Sequence, residues 1–89
     1  MIDYDRRRGF VRDILDGLDI VYSVILYFSD GYFISCGGKS FNVTVDSDGL
    51  IMVSGRYEKL FFDVNEPGSL ERLRFCLLNR CIDVWSGCD

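Results

Sequence analysis

The cysteines are the most chemically reactive residues of this 89-residue chain, and they occur without a histidine. Histidine is the commonest general base and the usual partner of a serine or cysteine nucleophile, so its absence argues against an enzyme. Four thiolates could hold zinc, but structural zinc sites bring their cysteines in closely spaced pairs, unlike Cys36, Cys76, Cys81 and Cys88. We therefore predict no catalytic residue, no metal and no cofactor, and interpret Cys76 and Cys81 as small buried residues of a helix.

Two glycine-containing segments are similar to ligand-binding loops, but each lacks a residue that the loop requires at a fixed distance along the chain. Residues 37–40 (Gly-Gly-Lys-Ser) match the end of a phosphate-binding loop, but the expected earlier glycine is Phe33 and a strand pattern follows instead of a helix. Residues 46–49 (Asp-Ser-Asp-Gly) match part of a calcium loop, but the twelfth position is Tyr57 where a glutamate is needed. We interpret both segments as turns.

Acidic residues concentrate at predicted turns and on the later strands: Asp30, Asp46, Asp48, Glu58, Asp63 and Glu66. If several share one end of a sheet, their carboxylates could imitate a run of phosphates and occupy a site built for DNA or RNA. The alternative is that turns favour aspartate for its local hydrogen bonds. Because the net charge is -4, direct binding of nucleic acid by this chain is not expected.

The basic cluster Arg6-Arg7-Arg8, with Arg12, falls in the first turns of a predicted helix. Positive charge there opposes the helix dipole, which favours a purpose outside the helix, such as an acidic partner or RNA. The alternative is a solvated face balanced by the nearby aspartates. Few aromatic residues are interleaved with the arginines, so the pattern is weak evidence for nucleic-acid binding.

Two helices are predicted, one at each end of the chain. The first is capped by Asp3 or Asp5 and runs to about Leu18, with an apolar stripe of Phe10, Val11, Ile14, Leu15 and Leu18. The second is capped by Ser69, with a stripe of Leu70, Leu73, Leu77, Leu78 and Cys81, widened by Phe75, Ile82 and Trp85.

Between the helices, strand and turn signals are almost continuous. The strand at residues 20–29 is apolar on both faces, with Ile20, Tyr22, Val24, Leu26 and Phe28 on one and Val21, Ile25 and Tyr27 on the other. Asp30-Gly31 is a hairpin turn. Further strands are predicted at residues 32–36, at 41–46 with Phe41, Val43 and Val45 inward, at 50–54, and more weakly at 57–64.

These elements predict a single α+β domain over residues 1–89. An antiparallel sheet of three to five strands would carry both helices on one face, over Val24, Leu26 and Phe28. The high hydrophobic content of 48% excludes disorder. No signal peptide and no apolar run long enough to span a bilayer are recognisable, so we expect a cytoplasmic protein with reduced cysteines and no membrane association.

A second apolar sheet face needs a cover, which favours a protein that binds another protein. The predicted contact surface combines Val21, Ile25 and Tyr27, with Ile51 and Val53 as further candidates. Its acidic rim consists of Asp30, Asp46, Asp48, Glu58 and Asp63. The alternatives are a homodimer through the same face, a small enzyme or ligand carrier that uses a sheet–helix crevice, and RNA binding through residues 6–12.

The order of elements resembles that of some small phage-encoded anti-CRISPR proteins. The resemblance lies in an opening helix at residues 5–18, a meander with turns at Asp30-Gly31 and Asp48-Gly49, a closing helix from Ser69, and overall acidity. It implies an inhibitor that occupies the nucleic-acid site of a DNA-binding or guide-loaded effector. Bacterial immunity proteins, which plug toxin active sites, are similar in the same general way.

Overall fold

The computed structural model of the protein describes residues 4–47, 49–55 and 58–79. Two helices enclose five strands in chain order: α1 (Tyr4–Gly17), β1 (Ser23–Phe28), β2 (Gly31–Cys36), β3 (Lys39–Ser47), β4 (Leu50–Ser54), β5 (Lys59–Asp63) and α2 (Ser69–Asn79). The strands form one antiparallel meander in the order β1-β2-β3-β4-β5. The predicted α+β fold, with five strands, is confirmed.

Both helices pack on the same face of the sheet. The strand residues of the core alternate with outward-facing ones and share one side: Ile34, Cys36, Phe41, Val43, Val45, Ile51, Val53 and Phe62. They form one cluster with Val11 and Leu15 of α1, with Leu18 in the turn after it, and with Leu73, Cys76 and Leu77 of α2. The predicted apolar stripe of α1 and the inward residues of β3 are therefore confirmed. Of the stripe predicted for α2, Leu73 and Leu77 are buried, whereas Leu70, Leu78 and the flanking Phe75 are exposed.

Long basic side chains tie the carboxyl ends of the helices to the rest of the domain. Arg74 Nε donates to the Leu18 carbonyl, 2.9 Å away, just after α1. Lys39 Nζ donates to the Leu78 carbonyl in the last turn of α2. Cations satisfy carbonyl groups that lack helical partners and oppose the negative end of the helix dipole.

The faces of β1 differ from the prediction because the strand contains a bulge. Val24 opposes the buried Ile34, but the next pair joins Leu26 to Phe33, so β1 carries one extra residue. An extra residue reverses the faces of the residues that follow. Leu26 and Phe28, predicted to face the helices, are 57% and 38% exposed on the opposite side. Their assignment to the core is wrong.

Ile51 and Val53 do not belong to an exposed face. They oppose Val45 and Val43 across β3, and both are fully buried beneath the helices. The candidate role of Ile51 and Val53 as contact residues is therefore wrong. Residues 50–54 follow a period of two, so the side chains at 51 and 53 share one face and the side chain at 52 takes the other.

The predicted serine cap of α2 is displaced by one residue. Ser69 is the first helical residue, and its hydroxyl has no hydrogen-bond partner within the described part of the chain. Gly68, with a φ of 80°, takes the cap position instead, and its carbonyl accepts from the Arg72 N–H at 3.1 Å. Glycine is accepted at this position, where the backbone is not yet helical.

The two described cysteines differ in their oxidation state. Cys36 is a free, buried thiol. Cys76 is buried and disulfide-bonded, so the expectation of reduced cysteines is wrong at this position. Cys81 and Cys88 lie outside the described residues, as do the other predicted apolar residues of the carboxyl-terminal segment, Ile82 and Trp85.

Candidate protein-binding face

The sheet side that points away from the helices carries apolar side chains on every strand except β3, which contributes Asn42 and Thr44. One cross-strand row joins Phe28, Gly31, Thr44, Met52 and Phe61, and the next joins Leu26, Phe33, Asn42, Ser54 and Lys59. We call this side the outer face and its apolar members are Leu26, Phe28, Phe33, Leu50, Met52 and Phe61. Within the described ranges, no helix covers it.

The outer face is most exposed at its two edges and closed at its centre. Leu26 on β1 and Phe61 on β5 are 57% and 53% exposed. In the middle, Thr44 is buried, and its hydroxyl has no hydrogen-bond partner among the described residues. A Cβ on Gly31 would lie 2.9 Å from Thr44 Cγ2, so the missing side chain is what lets the two strands and Thr44 pack closely. The centre of the outer face is therefore closely packed around a polar residue of β3.

The three apolar residues predicted as contacts are exposed, but none of them belongs to the two cross-strand rows of this face. Tyr27 opposes Tyr32 and lies on the helix side, where the Arg8 guanidinium carbon is 5.5 Å from the centroid of its ring. Val21 precedes β1 and is almost fully exposed, and Ile25 is the extra residue of the bulge. Leu26 and Phe28 take the place on the outer face that the sequence pattern gave to Ile25 and Tyr27.

Three of the predicted acidic residues lie at the same end of the sheet. Asp30 lies in the β1–β2 turn, Asp46 near the end of β3 and Asp63 at the end of β5. The Asp30 carbonyl accepts from the Val45 N–H at 2.9 Å, which places the first turn beside the end of β3. The shared end follows from the meander, since alternate connections lie at the same end of an antiparallel sheet.

The remaining acidic candidates are placed differently. Glu58 is exposed at the opposite end of the sheet, next to β5, and so is separate from the other three. Asp48 lies outside the described residues. Asp63 also has a local role, because its carboxylate accepts from the Asn65 N–H at 2.9 Å, as turn aspartates often do. Both the interaction hypothesis and the turn explanation therefore apply to this set.

Two arginines of the basic cluster pack on aromatic rings of the protein itself. Arg8 lies over Tyr27, and Arg12 lies over Tyr22 and Tyr32 at 5.8 and 6.0 Å from the ring centroids. These are cation–π contacts between α1 and the β1 side of the sheet. They give the arginines a structural role that the sequence pattern alone did not reveal.

The hydroxyl of Tyr22 donates to Asp16 Oδ1 at 2.6 Å, beside the contact with Arg12. Burial raises the pKa of Tyr22 to about 12, the hydrogen bond to Asp16 adds to the rise, and the positive charge of Arg12 opposes it. The tyrosine is therefore held in its protonated, donating form.

An apolar groove runs between β5 and α2. Its volume is about 580 Å³, and its lining consists of Leu60, Phe61, Phe62, Gly68, Glu71, Arg72, Phe75 and Cys76. Phe75, on the solvent side of α2, is 63% exposed. The ionisable side chains here are Glu71 and Arg72, and both are exposed. The groove offers apolar contact more than acid–base chemistry.

No cluster of three or more metal-ligating side chains occurs within the described ranges. Neither described helix is long and apolar enough to cross a membrane. No family model, curated protein or solved structure matches this chain, so its fold and its surfaces are the basis for assigning a function.

Proposed function

We propose that the protein binds another protein stoichiometrically and acts as an inhibitor by occupying a site on it. The observation that carries the proposal is the outer face, where Leu26 and Phe28 on β1 and Phe61 on β5 are exposed and no described helix lies above them. Exposed apolar surface of this kind marks interaction sites. Phenylalanine and methionine, which the outer face contains, are enriched at the centres of interfaces.

The acidic end of the sheet supports a basic target. Asp30, Asp46 and Asp63 lie at the same end of the sheet, and the chain has a net charge of -4. Carboxylates in such an arrangement complement a surface that holds phosphates. We therefore propose that the target is a nucleic-acid-binding effector whose DNA or RNA site is blocked, as the resemblance to anti-CRISPR proteins implies. Inhibition by occupancy requires no catalysis.

Contact between α1 and the tyrosines makes direct RNA binding the weaker candidate. Arg8 and Arg12 are placed over Tyr27, Tyr22 and Tyr32. The rings that would have to stack on RNA bases are thus in contact with the arginines that would have to bind phosphates.

The proposal is tested by affinity capture from nuclease-treated host lysate, followed by mass spectrometry and by titration of the captured protein. We expect one protein at one-to-one stoichiometry, lost with Leu26→Lys. We also expect the captured effector to lose its nucleic acid as the inhibitor is added. Val21→Lys is the comparison variant, because Val21 is almost fully exposed and precedes β1, outside the two cross-strand rows of the outer face.

The two variants separate the possible results. Capture that survives Leu26→Lys but is lost with Val21→Lys would move the interface to the loop before β1. A captured partner that keeps its nucleic acid at saturation would contradict inhibition by site occupancy. A lysate that yields no protein would contradict the proposed function altogether.

A nucleic-acid-binding target places the protein, in this proposal, in the cytoplasm. Disulfides are rare in that compartment, whereas Cys76 is disulfide-bonded in the structure. Rapid thiol trapping in cells, with peptide mapping of Cys76, tests the location. A trapped free thiol at Cys76 supports the cytoplasm, and a disulfide in cells points to an oxidising compartment.

A further inference from the structure

The strand β5 ends the sheet, and one of its sides has no strand beside it among the described residues. Hydrogen bonds at both ends of β5 show which of its residues direct their backbone N–H and C=O groups towards β4. The Gly55 N–H donates to the Glu58 carbonyl at 3.0 Å, and the Val64 N–H donates to the Gly49 carbonyl at 2.8 Å. Bonded pairs alternate along an antiparallel ladder, so the even-numbered residues from 58 to 64 bond to β4.

The odd-numbered residues of β5 therefore direct their backbone groups to the open edge. These residues are Lys59, Phe61 and Asp63. Their N–H groups have no acceptor among the described residues, and the Asp63 carbonyl accepts from the Glu66 N–H at 3.0 Å. The edge is regular, since the pairing of β4 with β5 proceeds without a bulge. A regular, unpaired edge is a template for a further strand.

We infer that β5 pairs antiparallel with β5 of a second copy of this chain, about a two-fold axis at Phe61. Phe61 would then oppose itself, and Lys59 of each copy would oppose Asp63 of the other. The two five-stranded sheets would become one ten-stranded sheet. Isologous pairing of this kind is the commonest symmetry of homodimers.

Backbone direction and charge select the same register. In this register every residue with an outward backbone pairs with another such residue, and the Asp63 carbonyl would accept a second hydrogen bond beside that from the Glu66 N–H. A shift by one residue would oppose outward backbone groups to groups that already bond to β4. A shift by two would place Phe61 opposite a charged residue and leave Lys59 and Asp63 of both copies without an opposed counter-charge. The sequence Lys-Leu-Phe-Phe-Asp is thus complementary to itself when reversed.

The side chains at this edge have surface left to bury. Lys59, Phe61 and Asp63 all lie on the outer-face side, with Phe61 half exposed between the two charges. Aromatic pairs and opposite charges that face each other across two strands stabilise a sheet. On the helix side, the groove lined by Phe75 and Leu60 adjoins the same edge, so the second copy would cover it.

The opposite edge of the sheet is less suited to pairing. β1 is interrupted by its bulge after Val24. The Phe28 carbonyl, at the end of β1, accepts a hydrogen bond from Arg8 Nη1 at 3.4 Å. A bulge prevents regular pairing along an edge. This inference goes beyond the proposed function, because it concerns the edge of the sheet and requires no other protein.

The test is the oligomeric state of the purified full chain, measured by light scattering and sedimentation over a range of concentrations. We expect a particle of about twice the chain mass of 10.2 kDa that dissociates on dilution. Lys59→Asp and Asp63→Lys each turn both charge pairs into repulsions, so each should weaken dimerisation about tenfold or more. An equimolar mixture of the two variants should form a heterodimer, because every pair is again opposite in charge.

Leu26→Lys is the control, since it changes the outer face at β1 and should leave dimerisation unchanged. The same variant also separates this inference from the proposed function. Dimerisation is measured in the absence of a target, and Leu26→Lys should lose target capture while it still dimerises. Wild-type protein that stays monomeric at submillimolar concentration would overturn the inference. Single-charge variants that dimerise as well as wild type, or a mixture that fails to pair, would overturn the register.

Discussion

At the scale of single residues, Gly31 is the position where the sheet has least room. A Cβ there would lie 2.1 Å from the Val43 carbonyl oxygen and 2.6 Å from Thr44 Cα, both backbone atoms of the adjacent strand. Backbone atoms within a sheet can move only if the strands separate. The glycine is therefore required by the pairing of β2 with β3.

Gly31→Ala should destabilise the protein by about 3 kcal/mol or prevent folding, because the added methyl group overlaps the neighbouring strand. Urea denaturation measures the change in the free energy of unfolding. The matched control is Gly9→Ala in α1, where a Cβ would have open space around it. That variant should be stabilised by up to about 1 kcal/mol, as alanine favours the helix. Equal effects of the two substitutions would contradict the assigned packing.

Tyr22 gives a pH dependence whose direction is fixed by its environment. Because burial and the bond to Asp16 raise the pKa of Tyr22 to about 12, the folded protein holds the phenolic proton more tightly than the unfolded chain. The resulting stability is fully present below the ordinary pKa of 10.0 and is lost as the pH rises towards 12. Ultraviolet absorbance should therefore show a late-titrating tyrosine that Tyr22→Phe removes.

Asp16→Asn serves as an intermediate variant in the same titration. It keeps the burial of Tyr22 and a hydrogen-bond acceptor, so the late phase should move only part of the way back. If the titration curves of wild type and Tyr22→Phe coincide, the assigned environment of Tyr22 is wrong.

At the scale of elements, the bulge in β1 places Leu26 outside the core. Leu15 of α1 is fully buried, whereas Leu26 is 57% exposed. Leu15→Ala should lower the free energy of unfolding by about 2–5 kcal/mol. Leu26→Ala should lower it by less than about 1 kcal/mol, since an exposed side chain loses little contact on truncation. Thermal and urea unfolding of the two variants make the comparison, and a large loss for Leu26→Ala would return β1 to the unbulged register.

The elements that the sequence predicted well are those with one clear period. The stripe of α1 and the alternation around Phe41, Val43 and Val45 each bury one side only, so the buried side follows from the pattern. β1 is apolar on both sides, so no pattern fixes its register, and the bulge depends on how it pairs with β2. Its faces could not be read from the strand alone.

The candidate site was predictable only in part, for the same reason. The acidic end followed from the turns, because an antiparallel meander brings Asp30, Asp46 and Asp63 to one end. The composition of the outer face could not be predicted from the sequence, because the bulge reverses the faces of the β1 residues that follow it. One signal was available in β5: Phe61 and Phe62 are adjacent in a strand, so one of the two had to face away from the helices.

At the scale of the whole molecule, Cys36 reports on global opening. Its thiol lies in the core, where burial raises the pKa of Cys36 and the charge of Lys39 partly opposes the rise. Reaction needs an exposed thiolate, so labelling of Cys36 should require unfolding and should be far slower than labelling of a free cysteine. Mass spectrometry of the labelled peptide measures the rate.

The order of labelling rates among variants provides the check. Leu15→Ala should accelerate labelling of Cys36 about tenfold for each 1.4 kcal/mol of stability that it loses, while Gly9→Ala should slow it. Labelling that is fast and indifferent to both substitutions would show that the thiol is reached through a local opening instead.

The bulge in β1 also sets how many neighbours a sheet of this protein can have. Growth into a filament needs two competent edges on every subunit, because each addition must leave a new edge free. This chain has a regular edge at β5 and an interrupted one at β1. Each subunit therefore has one edge at which the sheet can be extended, and pairing at β5 ends growth at two subunits. Deleting Ile25 would remove the interruption and convert a self-limiting pair into a polymerising unit.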